Sequence, residues 1–215
     1  MRLVLIAALV LAACSEGSPG PRFIPGAAAP PQALNADFLD RAVSEINAAR
    51  ADPDAYADKV RAYRALFNGN RVERPGRITL LTQEGTAVVD ETIAFLERQA
   101  PVRVLNRNAQ IDRAASDHAQ DQSRSGEVGH YGADGSTPQD RMRRYGRWTA
   151  TGEAIAYGSD TPEDVVMQLI IDDGVPDRGH RHLLFSPDYV FIGAACETHP
   201  EWRQVCVFDV ARATP

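Results

Sequence analysis

Hydrophobic positions recur along this chain with two different periods, and the change of period predicts the fold. From Asp37 onward, Phe38, Val43, Ile46 and Ala49 share one helical face, and Asp52-Pro53 stops that helix. Residues 84–98 carry Ala87, Val88, Ile93, Phe95 and Leu96, a second helix that ends before Pro101. Asn106 or Asn108 caps a third helix reaching Gly126, with Ile111, Ala114, Ala115, His118 and Ala119 as its apolar stripe. Thr161-Pro162-Glu163 opens a fourth, with Pro in the first turn and Val165, Val166, Leu169 and Ile170 following at helical spacing.

Late in the chain the period shortens. Residues 153–157 form a short candidate strand, and residues 190–196 and 204–210 form two stronger ones. The last two read as an antiparallel hairpin with one cysteine in each arm. Neighbouring strands supply the Cα separation of about 5.5 Å that a disulfide needs, so Cys196 and Cys206 are the expected pair. Helices first and strands later predict an α+β fold, with helices packed on an antiparallel sheet.

The N-terminus follows neither period. Met1-Arg2 precedes an uninterrupted apolar run of eleven residues, 3–13. A membrane-spanning helix needs ~20 residues, so the run fits the hydrophobic region of a secretory signal instead. It ends Leu11-Ala12-Ala13-Cys14, which resembles a bacterial lipoprotein processing box. There the chain is cut before a cysteine whose thiol receives a diacylglyceryl group. Residues 15–31 then hold five prolines and three glycines in seventeen positions. That composition excludes a helix interior or a sheet core and reads as an extended tether. The expected organisation is a signal over residues 1–13, a lipidated Cys14 with tether over 14–32, and one folded domain over 33–215. The partner implied by Cys14 is a membrane, and the expected location is the exported face of a bacterial cell envelope. Export also permits the Cys196–Cys206 disulfide.

Composition removes other classes. With 215 residues, 44% hydrophobic and 24% charged, the chain is neither disordered nor polytopic. A net charge of −6 gives no basic footprint for nucleic acid. The familiar catalytic strings GxSxG, HExxH, GxxxxGK[ST] and GxGxxG are absent from the sequence.

Histidine placement carries what chemistry remains. His118 lies on an apolar stripe and reads as a hydrogen-bonded core histidine. His130 lies in the glycine-punctuated segment Gly129-His130-Tyr131-Gly132-Ala133-Asp134-Gly135, which presents side chains. His180 follows Gly179, just beyond the helix end near Asp172-Asp173-Gly174. Glu153 is a carboxylate among apolar residues, costly there unless paired. Two imidazoles and a carboxylate can hold a divalent metal with an open position, or move protons near neutral pH. His182 reads as solvent-facing or a helix cap, His199 as a loop-ordering hydrogen-bond former, and Arg141-Met142-Arg143-Arg144 as a solvated face.

At these residues the chain resembles a bacterial member of the CAP superfamily, also called SCP-like. Its relatives include cysteine-rich secretory, antigen 5 and pathogenesis-related 1 proteins. The resemblance runs from Glu45-Ile46-Asn47-Ala48-Ala49-Arg50 through Ala115-Ser116-Asp117-His118-Ala119, His130-x-Gly-x-Asp-Gly135 and Gly152-Glu153-x-Ile-Ala156. It continues in Gly179-His180-Arg181, Ser186-Pro187-Asp188-Tyr189 and Ile192-Gly193. It implies a three-layer α-β-α sandwich and a cavity lined by two histidines and two acids, which bind a divalent metal such as zinc in some members. Carried over by motif, these are His130, Glu153 and His180, with Asp172 as the second acid or Asp173 by a one-residue shift. Here Ala154 stands where the family usually has Asn, Gly129 where a serine is frequent, and Leu183 where Asn is usual. The function implied is a tethered binding module for a metal and an envelope, lipid or protein ligand. The alternative is a hydrolase using His130, Glu153, Asp172 and His180 on an envelope or extracellular substrate.

Overall fold

The computed structural model describes residues 22–24, 34–77 and 79–213. The predicted signal, Cys14 and most of the tether lie outside the described residues. Within the tether, Arg22–Ile24 (β1) pairs antiparallel with Thr79–Leu81 (β4). Arg-Phe-Ile is a proline-free stretch between Pro21 and Pro25, and it joins this sheet only at its edge. The short strands Phe67–Asn68 (β2) and Arg71–Val72 (β3) complete a small sheet in the order β1-β4-β3-β2, which the hydrophobic pattern did not predict.

Helix α1 spans Ala36–Ala51, started by the Asn35 side chain accepting from Phe38 N at 3.0 Å. Asp52-Pro53 ends it and at once starts another helix, α2, Pro53–Arg64. The Asp52 carboxylate accepts from Ala55 N, and Pro53 occupies the first position, where no N–H is required. Helix α3 is Thr86–Leu96. Asn108, not Asn106, caps α4, Ala109–Ser125; Asn106 belongs to the two-residue strand β5, Asn106–Arg107. A short α5, Pro138–Arg143, follows.

Strand β6 is longer than its apolar stretch suggested, Trp148–Tyr157. After α6, Pro162–Ile171, and α7, Gly179–Phe185, the chain closes with the predicted hairpin, β7 Phe191–His199 and β8 Arg203–Ala213. The main sheet runs β5-β7-β8-β6, antiparallel except for the β5–β7 pair. Cys196 and Cys206 face each other across the hairpin and are bonded, with an S–S distance of 2.02 Å.

Alternation along the strands divides the core. Ala154, Ala156, Ala194, Phe208 and Val210 pack with Phe38, Ile46, Val165 and Leu169 on one face. Ile155, Ala195, Val205 and Val207 pack with Ala115 and Ala119 of α4 on the other. The result is an α+β sandwich. Helix α4 covers one face, and α1, α6 and α7 cover the other, with α2 and α3 outside them. Gly193 permits the α4 layer: a Cβ there would lie 2.2 Å from the backbone carbon of Ile111.

Buried Arg50 ties α1 to the α7 side. Its guanidinium donates to the carbonyls of Arg103, Leu184 and Ser186, and burial lowers its pKa to about 10.

Candidate functional site

Strand β6 lies at one edge of the main sheet, and the four predicted site residues assemble around it. Glu153 projects from β6 toward the α4 layer, directly opposite Asp209 of β8. Helix α4 ends at Gly126 in the left-handed region, φ 74°. The chain then passes through Gly129, φ 105°, a conformation that favours glycine. The Gly129 peptide is held on both sides: its N–H donates to Tyr157 Oη at 2.9 Å, and its carbonyl accepts from Gln122 Nε2 at 2.6 Å. His118 Nε2 lies 2.8 Å from the same carbonyl. His118 is therefore the buried, hydrogen-bonded residue expected, and burial lowers its pKa against the opposing pull of Glu153.

This clamp sets the start of the next residue. His130 Nδ1 meets Glu153 Oε1 at 2.8 Å, and Arg141 Nη2 donates to Glu153 Oε2 at 2.6 Å. Arg141 also donates to the carbonyls of His130 and Ser136. The predicted solvated face is thus corrected at its first two positions. Arg141 and Met142 turn inward, Arg141 because it neutralises a buried carboxylate and Met142 because it packs against Ile111 and Ala114. Burial alone would raise the Glu153 pKa. The hydrogen bond from His130 and the charge of Arg141 outweigh it and hold the carboxyl below its ordinary range.

The second half forms between α6 and α7. Asp172 ends α6 in the left-handed region, φ 62°. Its Oδ2 accepts from the backbone N–H of His180 at 2.9 Å and of Arg181 at 3.2 Å, while Oδ1 lies 2.7 Å from His180 Nδ1. Asp173 turns elsewhere and accepts from the backbone N–H groups of Gln83 and Glu84, so Asp172 is the partner of His180. Two arginines secure this turn. Arg178, also left-handed at φ 51°, bonds Glu84, Glu91 and the carbonyls of Asp172 and Val175. Buried Arg181 donates to the carbonyls of Ile170 and Ile171, to Glu91 and to Thr92. The hydrogen bond from Arg178, with help from Arg181 and against burial, brings Glu91 down to about 2.

The two halves meet: the rings of His130 and His180 lie 6.4 Å apart, centroid to centroid. Each Nδ1 is bonded to a carboxylate whose side chain is 1% exposed, whereas the rings themselves are 50% and 21% exposed. A carboxylate accepts, so each Nδ1–H donates, and among the described residues neither Nε2 has a hydrogen-bond partner. Neither the hollow under Tyr63, Phe67 and Ile171 nor the polar one beside Asp117, Asp121 and Arg144 has either imidazole in its wall.

Among the described residues no group of three His, Cys, Asp or Glu side chains could hold one ion. Glu153 stands behind His130 with both oxygens engaged, in the orienting position that such carboxylates take toward a ligating imidazole. The two Nε2 atoms are donors of the type a divalent cation such as zinc accepts.

Of the other histidines, His182 is exposed and meets Phe95 edge-on. His199 Nδ1 accepts from the backbone of Glu201 and Trp202, ordering the hairpin turn. Sequence reasoning missed Arg141 and Asp209. Asp209 gave a signal, since it interrupts an apolar strand as Glu153 does.

No described helix is long and apolar enough to cross a membrane. Among solved structures, the fold is similar to an outer surface protein of Borrelia burgdorferi, at 19% identity and a TM-score of 0.46 over 53% of this chain and 80% of that one. An extracellular protein containing an SCP domain from Bacillus anthracis gives 18% and 0.45, over 58% of this chain and 39% of that one. A cysteine-rich secretory protein from Staphylococcus aureus gives 13% and 0.40, over 59% and 37%. No curated protein matches the sequence. The sequence model of the cysteine-rich secretory protein family, CAP, matches residues 43–210, and the chain belongs to that family.

Proposed function

We propose that this CAP domain is an exported binding module, held to a membrane through Cys14, whose His130–His180 pair takes a polar ligand of the envelope or extracellular space together with a divalent cation such as zinc. The observation that carries this reading is the pairing itself. Two imidazoles 50 residues apart in sequence approach to 6.4 Å, each with its Nδ1 fixed by a buried carboxylate. His130 and His180 would hold the cation, which would supply Lewis-acid polarisation of a ligand oxygen. Glu153 and Asp172 keep each ring in one tautomer and one orientation. Arg141 and the α7 backbone hold those carboxylates in place.

Export is supported by the apolar N-terminal run ending at Cys14 and by a disulfide of the kind that oxidising compartments permit. An unmodified Cys14 thiol in the mass spectrum of the native protein would contradict the anchor.

Zinc titration by calorimetry tests the site. One equivalent is expected to bind the parent protein and to be lost in both His130→Ala and His180→Ala. Binding that survives either substitution contradicts the shared site. A hydrolase is the second reading, favoured by the carboxylate behind each exposed imidazole, the arrangement of an oriented general base. It requires turnover on an envelope substrate that disappears in Glu153→Gln while the fold persists.

A further inference from the structure

Asp209 is fully buried, and among the described residues neither of its carboxyl oxygens meets a donor. It stands on β8 directly opposite Glu153, and residues so paired hold their Cβ atoms about 4.5–5.5 Å apart. The two carboxyl groups therefore neighbour each other on the same face of the sheet. Between two ionised carboxylates this contact joins acceptor to acceptor; a single proton makes it a hydrogen bond.

The charges around the Glu153–Asp209 pair decide where that proton resides. Strand β6 brings Glu153, α5 brings Arg141, α4 brings His118, and the loop after α4 brings His130. Strand β7 brings only Gly193 opposite, which has no side chain. Arg141 directs Nη2 to Glu153, which also receives His130 Nδ1, while Arg141 Nε has no partner among the described residues. One guanidinium thus faces two acids, and the acid without a donor is Asp209.

We propose that Asp209 is a positioning residue: it remains protonated at neutral pH and donates its O–H to Glu153, fixing Glu153 as the ionised acceptor of the His130 Nδ1–H. Burial, joined by the neighbouring Glu153 charge and opposed by Arg141, pushes the Asp209 carboxyl well above its usual range. With Asp209 neutral, Glu153 and Arg141 balance each other in charge. The use of this device rests on the reading of His130 as a site residue. The protonation does not, so a failed zinc titration would remove the binding function and leave Asp209 unaffected.

Carbon-13 NMR of the full chain reads the proton directly. The Asp209 carboxyl signal should stay at its protonated position at pH 7, with no inflection near the ordinary ~3.9. An ionised signal at pH 7 overturns the proposal. Asp209→Asn keeps a donor toward Glu153 and has no acidic proton. The sign of the linkage follows from the raised folded pKa. The parent's stability from Asp209 is fully present below the unfolded pKa and is lost as pH rises toward the folded one. Between pH 5 and 7 the folding constant of D209N should therefore gain about tenfold per pH unit relative to the parent. A pH-independent ratio overturns the proposal. The ring nitrogen shifts of His130 should be unchanged in D209N and altered in Asp209→Val, which removes the donor; unchanged shifts in a folded D209V overturn the positioning role.

Discussion

The two halves of the imidazole pair reach the same geometry by different physics. On the sheet side, His130 is oriented by Glu153, whose charge is answered by the guanidinium of Arg141 inside the protein. On the helix side, His180 is oriented by Asp172, whose other oxygen is answered by two backbone N–H groups of α7. The first solution buries an ion pair and joins three successive segments, the loop after α4, α5 and β6. The second is local, spanning the turn from α6 into α7. A buried ion pair becomes strongly destabilising when one partner is removed, because the other charge is left uncompensated. A carboxylate held by backbone donors forfeits mainly those hydrogen bonds. The sheet half is therefore brittle and the helix half tolerant, although both present an imidazole in the same way.

The largest effect should come from Arg141→Met, which leaves Glu153 buried without its cation. A loss of about 3–5 kcal/mol in urea unfolding is expected. Asp172→Asn, which weakens the bonds to the α7 backbone, should cost about 1–3 kcal/mol. A D172N loss as large as that of R141M would break the comparison. Acid titration sharpens it through Glu91, which supports the helix half. Its folded pKa is depressed to about 2 from 4.5, so its stabilisation is present above 4.5 and lost as pH falls toward 2. Glu91→Gln should flatten that part of the unfolding profile, with an effect reduced by the exposure of the side chain. The smallest change should be Tyr157→Phe, which removes the oxygen that receives Gly129 N–H. About 1 kcal/mol is expected, with faster hydrogen exchange at Gly129 and none of that acceleration at His180.

The same contrast explains what was legible in the sequence. The hydrophobic period disclosed α1, α3, α4 and α6 and the β7–β8 hairpin, because each buries a continuous stripe or alternating face. It did not disclose α2, since Asp52-Pro53 carries equally good stop and start chemistry. It also missed the small β1–β4 sheet, whose strands are two or three residues long. The short α7, only seven residues, offers too few turns for a period to be read. At the site, the Asp172–His180 half lay within one turn of chain, and its acid could be narrowed to two neighbours. Only the fold separates Asp172 from Asp173, by turning the latter toward α3. The His130 half depends on long-range pairing. Nothing local marks Arg141 among Arg143 and Arg144 as the arginine that turns inward, because its partner is brought by a different element. The motif resemblance located Glu153 and both histidines; the β6–β8 register placed Asp209 beside them.

Nitrogen-15 NMR of the two imidazoles during a zinc titration tests the central claim most directly. Both rings should begin with Nδ1 protonated, and both Nε2 signals should then move together and saturate at one equivalent. Nε2 signals that respond at different zinc concentrations, or a response in only one ring, would contradict a single shared site.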